Sequence, residues 1–496
     1  MIELSLTEIA EIVGGELADV SPEQAAATRV TGTVEFDSRR VTPGGLFVAL
    51  PGARTDGHDH AADAVAAGAV AVLAARPVGV PAVVVPPAAG DARAGVLEHD
   101  TDGSGAAVLA GLARLARAVA AELTAGGLRV IGVTGSSGKT STKDLLAAVL
   151  APLGTVVAPP GSFNNELGLP WTVLRADRDT DFLVLEMSAR HPGNIAALAE
   201  IARPRIGVVL NVGTAHLGEF GSREAIADTK AELAAAIPAD GVAVLNVDDT
   251  AVAPMAQRTA ARVVRVSRSP GADLWAGEVT LDELARARFT LHAGHEQVEV
   301  ALAVHGEHQV SNALCAAAVA RECGASLPQI AAALAAAGPV SPRRMQVVTR
   351  ADGVTVINDA YNANPDSMAA GLKALAWMAR SAGQRRRSWA VLGEMAELGD
   401  EAIAEHDRIG RLAVRLDVSR LVVVGTGRTM SAMHHGAVME GSWGSESTMV
   451  PDPEAALALL RAELAPGDVV LVKASNAAGL GTLAEALLAE PGDPRG

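Results

Sequence analysis

Cysteine is scarce in this 496-residue sequence, which contains only Cys315 and Cys323. Both lie in one alanine-rich stretch, so no disulfide framework is expected, and the reducing cytosol is the compartment that this usage favours. No run reaches the roughly 18 uninterrupted apolar residues that a membrane span requires. The N-terminal segment also lacks a basic stretch ahead of an apolar one, so no signal peptide is predicted. These absences predict a cytoplasmic protein without a membrane span.

Positive charge is also in short supply. Lys and Arg total 41 against 57 Asp and Glu, a formal net charge of −16. A general nucleic-acid binder needs basic surface to displace counterions, so no nucleic-acid partner is expected. Hydrophobic residues make up 49% and charged residues 20%, which is typical of a folded globular chain. The length predicts two to four domains.

Short Val/Ile/Leu runs, bounded by glycine or proline, alternate with helical patterns along most of the chain. Such runs indicate buried strands of parallel sheets, and the alternation indicates α/β layers with helices on both faces. The clearest strand runs are LRVIGVTG, FLVLEMS, RIGVVLNVG, GVAVLNVD, RLVVVGTG and DVVLVKAS.

Two boundaries divide the sequence. A polar, glycine-rich stretch spans 97–105, and two prolines with a glycine end an alanine-rich helix near 335–345. We therefore predict domains at 1–103, 104–339 and 340–496, each of plausible size.

The segment Gly135-Ser136-Ser137-Gly138-Lys139-Thr140 lies between a predicted strand and a predicted helix. A glycine-rich turn there aims backbone N–H groups at an anion, and the helix N-terminus adds partial positive charge. Lys139 can reach the β- and γ-phosphates of a nucleotide, and the Thr140 hydroxyl suits Mg²⁺. Val133 stands where the full G-x-x-x-x-G-K-[ST] pattern has glycine, which disfavours most kinases and GTPases.

Two further residues follow predicted strands, where ligands gather in doubly wound sheets. Glu186 and His216 could hold Mg²⁺ together with Thr140, water and phosphate oxygens. Because histidine is unusual for Mg²⁺, His216 could instead be a base or a packed loop residue. Lys230 reads as a surface helix lysine, and nothing in its spacing says otherwise. Zinc is not expected, since paired cysteines and a His-x-x-x-His arrangement are both absent.

The segment VINDAYNANPDSM, residues 356–368, begins at a predicted strand end and contains Tyr361, the only tyrosine. It offers amide and carboxylate groups for a ribose or adenine and an aromatic face for stacking. An Asx-rich turn would explain the Asn and Asp residues but not their concentration.

At this point the chain resembles the Mur ligase family of peptidoglycan synthesis, whose ATP loop has the same short TGSSGKT form. The resemblance covers nearly the whole chain. Within the family, NDAYNANPDSM and VLGEMAELGDEAIAEHDRIG resemble the members that add D-alanyl-D-alanine to UDP-N-acetylmuramoyl-tripeptide. Further matching motifs are DSRRVTPGGLFVALPGARTDGHDH, SFNNELGLPWTVL, EMSARHPGNI, NVGTAHLGEFGS and GEHQVSNALCAAAVA.

The resemblance implies three domains, with a central doubly wound P-loop ATPase-like sheet and a C-terminal Rossmann-like domain. The first domain would bind the UDP-sugar-peptide, the second ATP, and the third D-alanyl-D-alanine with further ATP contacts. The implied enzyme is an ATP-dependent amide-bond ligase that uses ATP and Mg²⁺. A substrate carboxylate would attack the γ-phosphate to give an acyl phosphate, which the dipeptide amine would then displace.

The resemblance also implies residue roles. The catalytic residues would be Lys139, Glu186, His216 and Lys230. The metal would be served by Thr140, Glu186, His216 and Lys230. Lys230 stands where much of the family carries a carbamylated lysine. ATP contacts would come from Thr134, Gly135, Ser136, Ser137, Gly138, Lys139, Thr140, Ser141, Asn312, Arg344, Asp359, Tyr361 and Asn362. Ser38 and Arg39 resemble uridine-diphosphate contacts, and Asn164 and Asn165 resemble contacts to the sugar-peptide.

One motif departs from the family, whose C-terminal strand commonly ends in Lys-Gly-Ser-Arg, whereas this chain has Lys473-Ala474-Ser475-Asn476. Three alternatives stay open: a Mur ligase that adds a different amino acid, a P-loop ATPase or kinase, and a non-catalytic UDP-sugar-binding relative. The first is disfavoured by NDAYNANPDSM, and the second by the N-terminal motifs. The third is disfavoured by the intact Lys139, Thr140, Glu186 and His216. The protein is expected to be a monomer.

Overall fold

The computed structural model describes residues 1–87, 97–214, 217–381, 383, 385–441 and 446–489. Within these residues the strands form four sheets, of two, five, nine and six strands. The five-, nine- and six-stranded sheets follow one another along the chain. The domain boundaries predicted at 103/104 and 339/340 lie between them and stay a prediction.

The largest sheet positions the phosphate loop. Its inner strands are parallel and, apart from Arg129 at the start of one of them, buried, because helices cover both faces. Beyond Arg262–Ser267 it continues into an antiparallel arm that ends at Glu296–His305. In spatial order its strands are Val156–Val157, Phe182–Glu186, Arg129–Thr134, Ile206–Val209, Val242–Asn246, Arg262–Ser267, Leu274–Leu281, Arg286–Ala293 and Glu296–His305.

The N-terminal part contains the five-stranded sheet and a short ribbon. The ribbon pairs Leu4–Ser5 with Arg29–Val30 antiparallel. In the sheet, Glu16–Ala18 pairs antiparallel with its neighbour and the other strands are parallel. The spatial order is Glu16–Ala18, Ala82–Val84, Ala69–Ala74, Gly45–Val48 and Val34–Glu35.

The C-terminal sheet is parallel except at one edge, where Gln346–Thr349 runs antiparallel to its neighbour. Apolar clusters cover both of its faces, as a doubly wound sheet requires. Its order is Gln346–Thr349, Thr355–Asn358, Val469–Lys473, Ser388–Leu392, Arg420–Val424 and Ser447–Val450.

The helices follow the strands as crossovers, and several begin at side-chain caps such as Ser5, Ser222, Asn364 and Asp452. The α-helices span Leu6–Val13, Pro22–Ala27, Ala61–Ala66, Ser104–Ala125, Lys139–Leu150, Gly168–Val173, Asn194–Ala202, Leu217–Phe220, Arg223–Ala236, Gln309–Glu322, Leu327–Ala336, Pro365–Arg380, Ala402–Arg415, Arg428–Glu440, Pro453–Glu463 and Leu480–Ala489. Short 3₁₀ turns span Ser38–Arg40, Gly57–His60, Ala151–Leu153, Ala253–Gln257, Gly399–Glu401 and Asn476–Ala478.

The five-stranded N-terminal sheet and the nine-stranded central sheet share one apolar cluster. Leu6 and Leu73 from the N-terminal part lie in it together with Leu115 of helix Ser104–Ala125 and Leu198. Next to this cluster, the indole N–H of Trp171 donates to the carbonyl of Val34 at 2.9 Å. Its ring packs against Phe163 and Phe36, with centroids 4.6 and 5.8 Å away. The N-terminal sheet is thus fastened to the central one by apolar and aromatic contacts.

The α/β fold predicted from the sequence is confirmed, and the six apolar runs all form buried parallel strands. The antiparallel arm at 274–305 was not predicted. Its exposure alternates along Glu296–His305, and Gly294 takes a left-handed φ of +62° at the turn before that strand. Those are the signals of a half-buried hairpin.

We expect Trp171→Ala to lower the free energy of unfolding by about 3–5 kcal/mol, because it empties a site that is 1% exposed. Trp171→Phe is the matched control. It keeps an aromatic ring but removes the N–H, and should cost about 1 kcal/mol. Urea titration followed by circular dichroism measures both, and equal losses for the two variants would contradict the packing role.

Candidate active site

The phosphate loop connects strand Arg129–Thr134 to helix Lys139–Leu150. Gly138 takes a φ of +83°, and a Cβ there would come within 2.7 Å of the Asn312 side-chain oxygen. Both the backbone conformation and the space therefore require glycine. The amides of Ser136 and Ser137 donate to Asn211. In the described part of the chain, the amides of Lys139, Thr140 and Ser141 have no acceptor, as expected of a helix N-terminus that awaits an anion.

Lys139 is folded back over this loop. Its Nζ donates to the carbonyl of Gly135 at 2.6 Å. Burial lowers its pKa to about 8, with Arg344 adding to that effect and Glu186 opposing it. The side chain is therefore still mostly protonated at neutral pH and can neutralise a phosphate oxygen.

Glu186 ends strand Phe182–Glu186 and is fully buried. Its Oε2 accepts hydrogen bonds from Thr140 at 3.2 Å, Ser162 at 3.3 Å and Asn164 at 3.3 Å. Burial raises its pKa, whereas Lys143, Lys139 and Arg344 favour the charged form. Its Oε1 has no hydrogen-bond partner among the described residues.

That free Oε1 bears on the metal prediction. A buried carboxylate oxygen without a donor, beside a threonine hydroxyl, suits a hard divalent cation. Among the described residues, no group of three or more His, Cys, Asp or Glu forms a metal cluster. The residues present therefore fit Mg²⁺ only if phosphate oxygens and water complete its shell. His216, also predicted as a ligand, lies outside the described residues.

The C-terminal part contributes the opposite wall. The Arg344 guanidinium lies 4.4 Å from the centre of the Tyr361 ring and donates to Thr140 Oγ1 at 3.4 Å. Asp359 pairs with the buried Lys473, with 2.6 Å between Oδ2 and Nζ. Burial lowers the pKa of Lys473, and Asp359 opposes that effect. Residues separated by about 200 positions thus meet at the phosphate loop.

Between these walls lies a cleft of about 420 Å³. Its volume is within the range of small-molecule sites. Of the predicted nucleotide contacts, it is lined by Ser137, Gly138, Ser141, Asn312, Arg344 and Asp359. The structure therefore brings residues of both parts of the chain to one cavity.

Lys230, on helix Arg223–Ala236, is 4% exposed, so the prediction that it lies on the surface is wrong. No hydrogen bond or ion pair to it occurs within the described residues. Burial lowers its pKa well below the usual value, and the nearby Lys139 lowers it further. Both effects favour the uncharged form of this buried amine.

The other predicted site residues include buried, half-buried and exposed side chains. Thr134 is buried, and its hydroxyl donates to the carbonyl of Met187 at 2.9 Å. Asn164 bonds Glu186 and Ser188, and Asn165 accepts from the amide of Gly168. Asn362 is exposed and its side-chain oxygen accepts from the amide of Ala363.

Ser38 and Arg39 lie apart from the cleft, in the 3₁₀ turn Ser38–Arg40. The Arg39 side chain is exposed and makes a two-point contact with Asp37, each bond 2.8 Å long. Their predicted role in binding uridine diphosphate stays a prediction.

Sequence reasoning missed several residues of the site. Asn211 holds the loop through Ser137, and Asn364 reaches the carbonyl of Ser136 at 3.4 Å. Lys143 is 2% exposed, although its position on a helix gave no sign of burial. The signal for Asn211 was its place just past strand Ile206–Val209, where polar residues face ligands.

Comparison with known proteins finds three family models that match consecutive segments of the chain. The family model described as the Mur ligase middle domain matches residues 133–320. The Mur ligase glutamate ligase domain matches 343–476, and the Mur ligase family catalytic domain matches 32–116. The chain belongs to the Mur ligase family.

Individual relatives point to one branch of the family. The UDP-N-acetylmuramoyl-tripeptide–D-alanyl-D-alanine ligase of Mycobacterium tuberculosis is 75% identical over 99% of this chain and 98% of its own length. The ligase of the same name from Escherichia coli is 35% identical over 86% of both. Among solved structures, MurF from Acinetobacter baumannii matches with a TM-score of 0.82 and 29% identity, covering 98% of this chain and 99% of its own.

A second solved structure is a complex with ADP. It is the MurF ligase of Thermotoga maritima, 29% identical, with a TM-score of 0.73 over 92% of this chain and 97% of its own. Together the relatives support ATP as the nucleotide of this family branch. Among the described residues, no helix has the length and apolar character to cross a membrane.

The pKa of Lys139 gives a pH-dependent prediction. Phosphate oxygens favour the charged amine, so ATP binding should raise this pKa above its free value of about 8. Binding at pH 8 should therefore take up about half a proton, and uptake should vanish near pH 6, where Lys139 is already charged.

Calorimetry in buffers of different ionisation enthalpy measures the proton uptake. Lys139→Met is the control, since it has no proton to gain. Equal uptake by the variant and the wild type at pH 8 would contradict the assignment.

Proposed function

We propose that this chain is an ATP-dependent ligase that adds D-alanyl-D-alanine to UDP-N-acetylmuramoyl-tripeptide, giving the pentapeptide precursor of peptidoglycan. Its supports are the near full-length relatives at 75% identity and the cleft, which residues of the phosphate loop and Arg344 line together. The observation that carries it is the meeting of Thr140 with Glu186 and with Arg344 of the C-terminal part.

The chemistry follows from what the groups can do. A carboxylate is a poor electrophile, so its oxygen attacks the γ-phosphorus of ATP, and the β–γ bridging bond breaks to release ADP. Two anions must meet in that step. Lys139, Arg344 and the amides at the start of helix Lys139–Leu150 lower the repulsion between them.

The second step forms the amide. The dipeptide amine attacks the acyl carbon, phosphate leaves, and the nitrogen gives up a proton. Water would destroy the acyl phosphate, so the site must exclude it. Contacts between the central and C-terminal parts hold the two parts together, including Asn364 to Ser136 and Arg190 to Glu397 at 3.0 Å.

Mg²⁺ belongs to this proposal. Glu186 and Thr140 would hold it, with His216 as the further predicted ligand. When bound, the ion supplies positive charge to the phosphate oxygens of ATP. Burial raises the pKa of Glu186, whereas Lys143, Lys139 and Arg344 oppose that effect, and a bound cation would favour the charged carboxylate further.

The remaining substrate assignments are also proposed. Ser38 and Arg39 contact the uridine diphosphate, and Asn164 and Asn165 contact the sugar-peptide. Asn164 would do so from the position fixed by Ser188 and Glu186. We further propose that the protein is a cytoplasmic monomer.

The first experiment measures ADP release with UDP-N-acetylmuramoyl-tripeptide and different acceptors. D-alanyl-D-alanine should support turnover on the order of 100-fold faster than any single amino acid, because a dipeptide pocket loses many contacts to a shorter ligand. Faster turnover with a single amino acid would favour a different Mur ligase activity. ADP release without any acceptor would favour a plain ATPase.

Lys139→Ala serves as the active-site variant in that assay. It should lower ADP release by about 100- to 1,000-fold and leave the circular dichroism spectrum unchanged. The matched control is Lys373→Ala, because Lys373 is exposed on helix Pro365–Arg380. Near-normal turnover of Lys139→Ala would reject the loop assignment.

Lys230 provides a separate prediction. The uncharged form of its buried Nζ, which the lowered pKa favours, should attack CO₂, forming a carbamate and releasing a proton. With ¹³C-labelled bicarbonate, the wild type should show a carbamate carbon signal by NMR that Lys230→Gln lacks. The signal should also survive in Lys373→Ala, and its absence from the wild type would contradict carbamylation.

A further inference from the structure

Lys143 and Asp144 form a buried ion pair on the helix that follows the phosphate loop. Their Nζ and Oδ1 atoms are 2.6 Å apart, and the Lys143 side chain is 3% exposed. Burying a lysine costs free energy unless its charge is paired. Neither residue lines the large cleft, and their further hydrogen-bond partners lie in other segments of the chain.

The pair reaches two other segments. Lys143 Nζ donates to the carbonyl of Pro159 at 2.9 Å and to the hydroxyl of Ser341 at 3.3 Å. Asp144 Oδ2 accepts from the amide of Ser341 at 3.1 Å. Pro159 precedes the loop whose Ser162 bonds Glu186. Ser341 lies in the linker, residues 337–345, between helix Leu327–Ala336 and strand Gln346–Thr349.

The linker is also fixed at its far end, where the amide of Met345 donates to Asp359 Oδ1 at 3.0 Å. Within it, Arg343 and Met345 have φ values of +58° and +47°. Residues other than glycine rarely adopt this left-handed conformation, and it persists only where surrounding contacts hold it. Arg344 lies between these two residues and reaches Thr140.

We propose that Lys143 and Asp144 are positioning residues, which hold the linker through Ser341 so that Arg344 stays over the phosphate loop. The inference rests on the proposed function for its kinetic consequence. It gives the phosphate-loop helix a second role, because the helix also fixes the segment that delivers a cation from the C-terminal part. A merely structural ion pair would stabilise the fold without acting through Arg344.

A double-mutant cycle separates these two roles. Asp144→Ala should lower kcat for ADP release about 10-fold, with a smaller change in the KM for ATP, because Arg344 is misplaced. In an Arg344→Ala background the same substitution should change kcat less than about 2-fold. An equal fall of kcat in both backgrounds would overturn the proposal.

The matched control is Glu485→Gln. Glu485 pairs with Arg343 of the same linker at 2.8 Å but leads to the last helix, away from the phosphate loop. Its loss should leave kcat within about 2-fold of the wild type, and a 10-fold fall would overturn the proposed route through Ser341. If Asp144→Ala does not fold, Lys143→Met/Asp144→Leu removes both charges together and enters the same cycle.

Amide hydrogen exchange gives a readout that does not depend on turnover. The amides of Ser341 and Met345 should exchange about 10-fold faster in Asp144→Ala than in the wild type, and unchanged in Glu485→Gln. Unchanged exchange in Asp144→Ala would overturn the positioning role. A wild-type chain that releases no ADP with either substrate would instead overturn the proposed function.

Discussion

The fully buried carboxylate of Glu186 is the interaction on which the site depends. Three cations, Lys139, Lys143 and Arg344, act on it from the phosphate-loop helix and from the C-terminal part. Lys143 has its own ion pair with Asp144, whereas Lys139 and Arg344 have no ion pair within the described residues. A polyanion such as a nucleoside triphosphate would supply the negative charge that these two cations lack, in a medium of low dielectric constant. The contacts between the central and C-terminal parts, and the linker at 337–345, keep these charged groups together, and the proposed chemistry depends on that arrangement.

Contacts between the central and C-terminal parts show how that balance is maintained. Helix Pro365–Arg380 begins at Asn364, which caps the helix and also reaches the phosphate loop. At the other end of the same helix, the Trp377 indole donates to the carbonyl of Asp282 at 2.8 Å. Ala285 of the antiparallel arm lies within the C-terminal apolar cluster. The arm that sequence reasoning missed is thus a support for the C-terminal part.

Much of the fold and the heart of the site could be predicted from sequence, because buried parallel strands and glycine-rich turns leave local patterns. Lys139, Thr140 and Glu186 each stand at a strand or helix end that the pattern locates. The role of Arg344 came from family resemblance alone, and although Tyr361 stood out as the only tyrosine, no local pattern brings either residue to a loop about 200 residues earlier. Lys143 was missed for a related reason: its burial depends on Pro159 and Ser341, which only the tertiary structure places beside it.

Helix Ser104–Ala125 has a consequence for how the chain could be divided. Its apolar residues, among them Leu112, Leu115 and Val119, belong to one cluster with side chains from both the five-stranded and the nine-stranded sheet. A fragment that starts at residue 104 would expose the apolar face of this helix that the N-terminal part covers. The complementary fragment, residues 1–103, would expose the apolar side chains that pack against the helix. Separately expressed halves should therefore aggregate, unless they are produced together and reassociate.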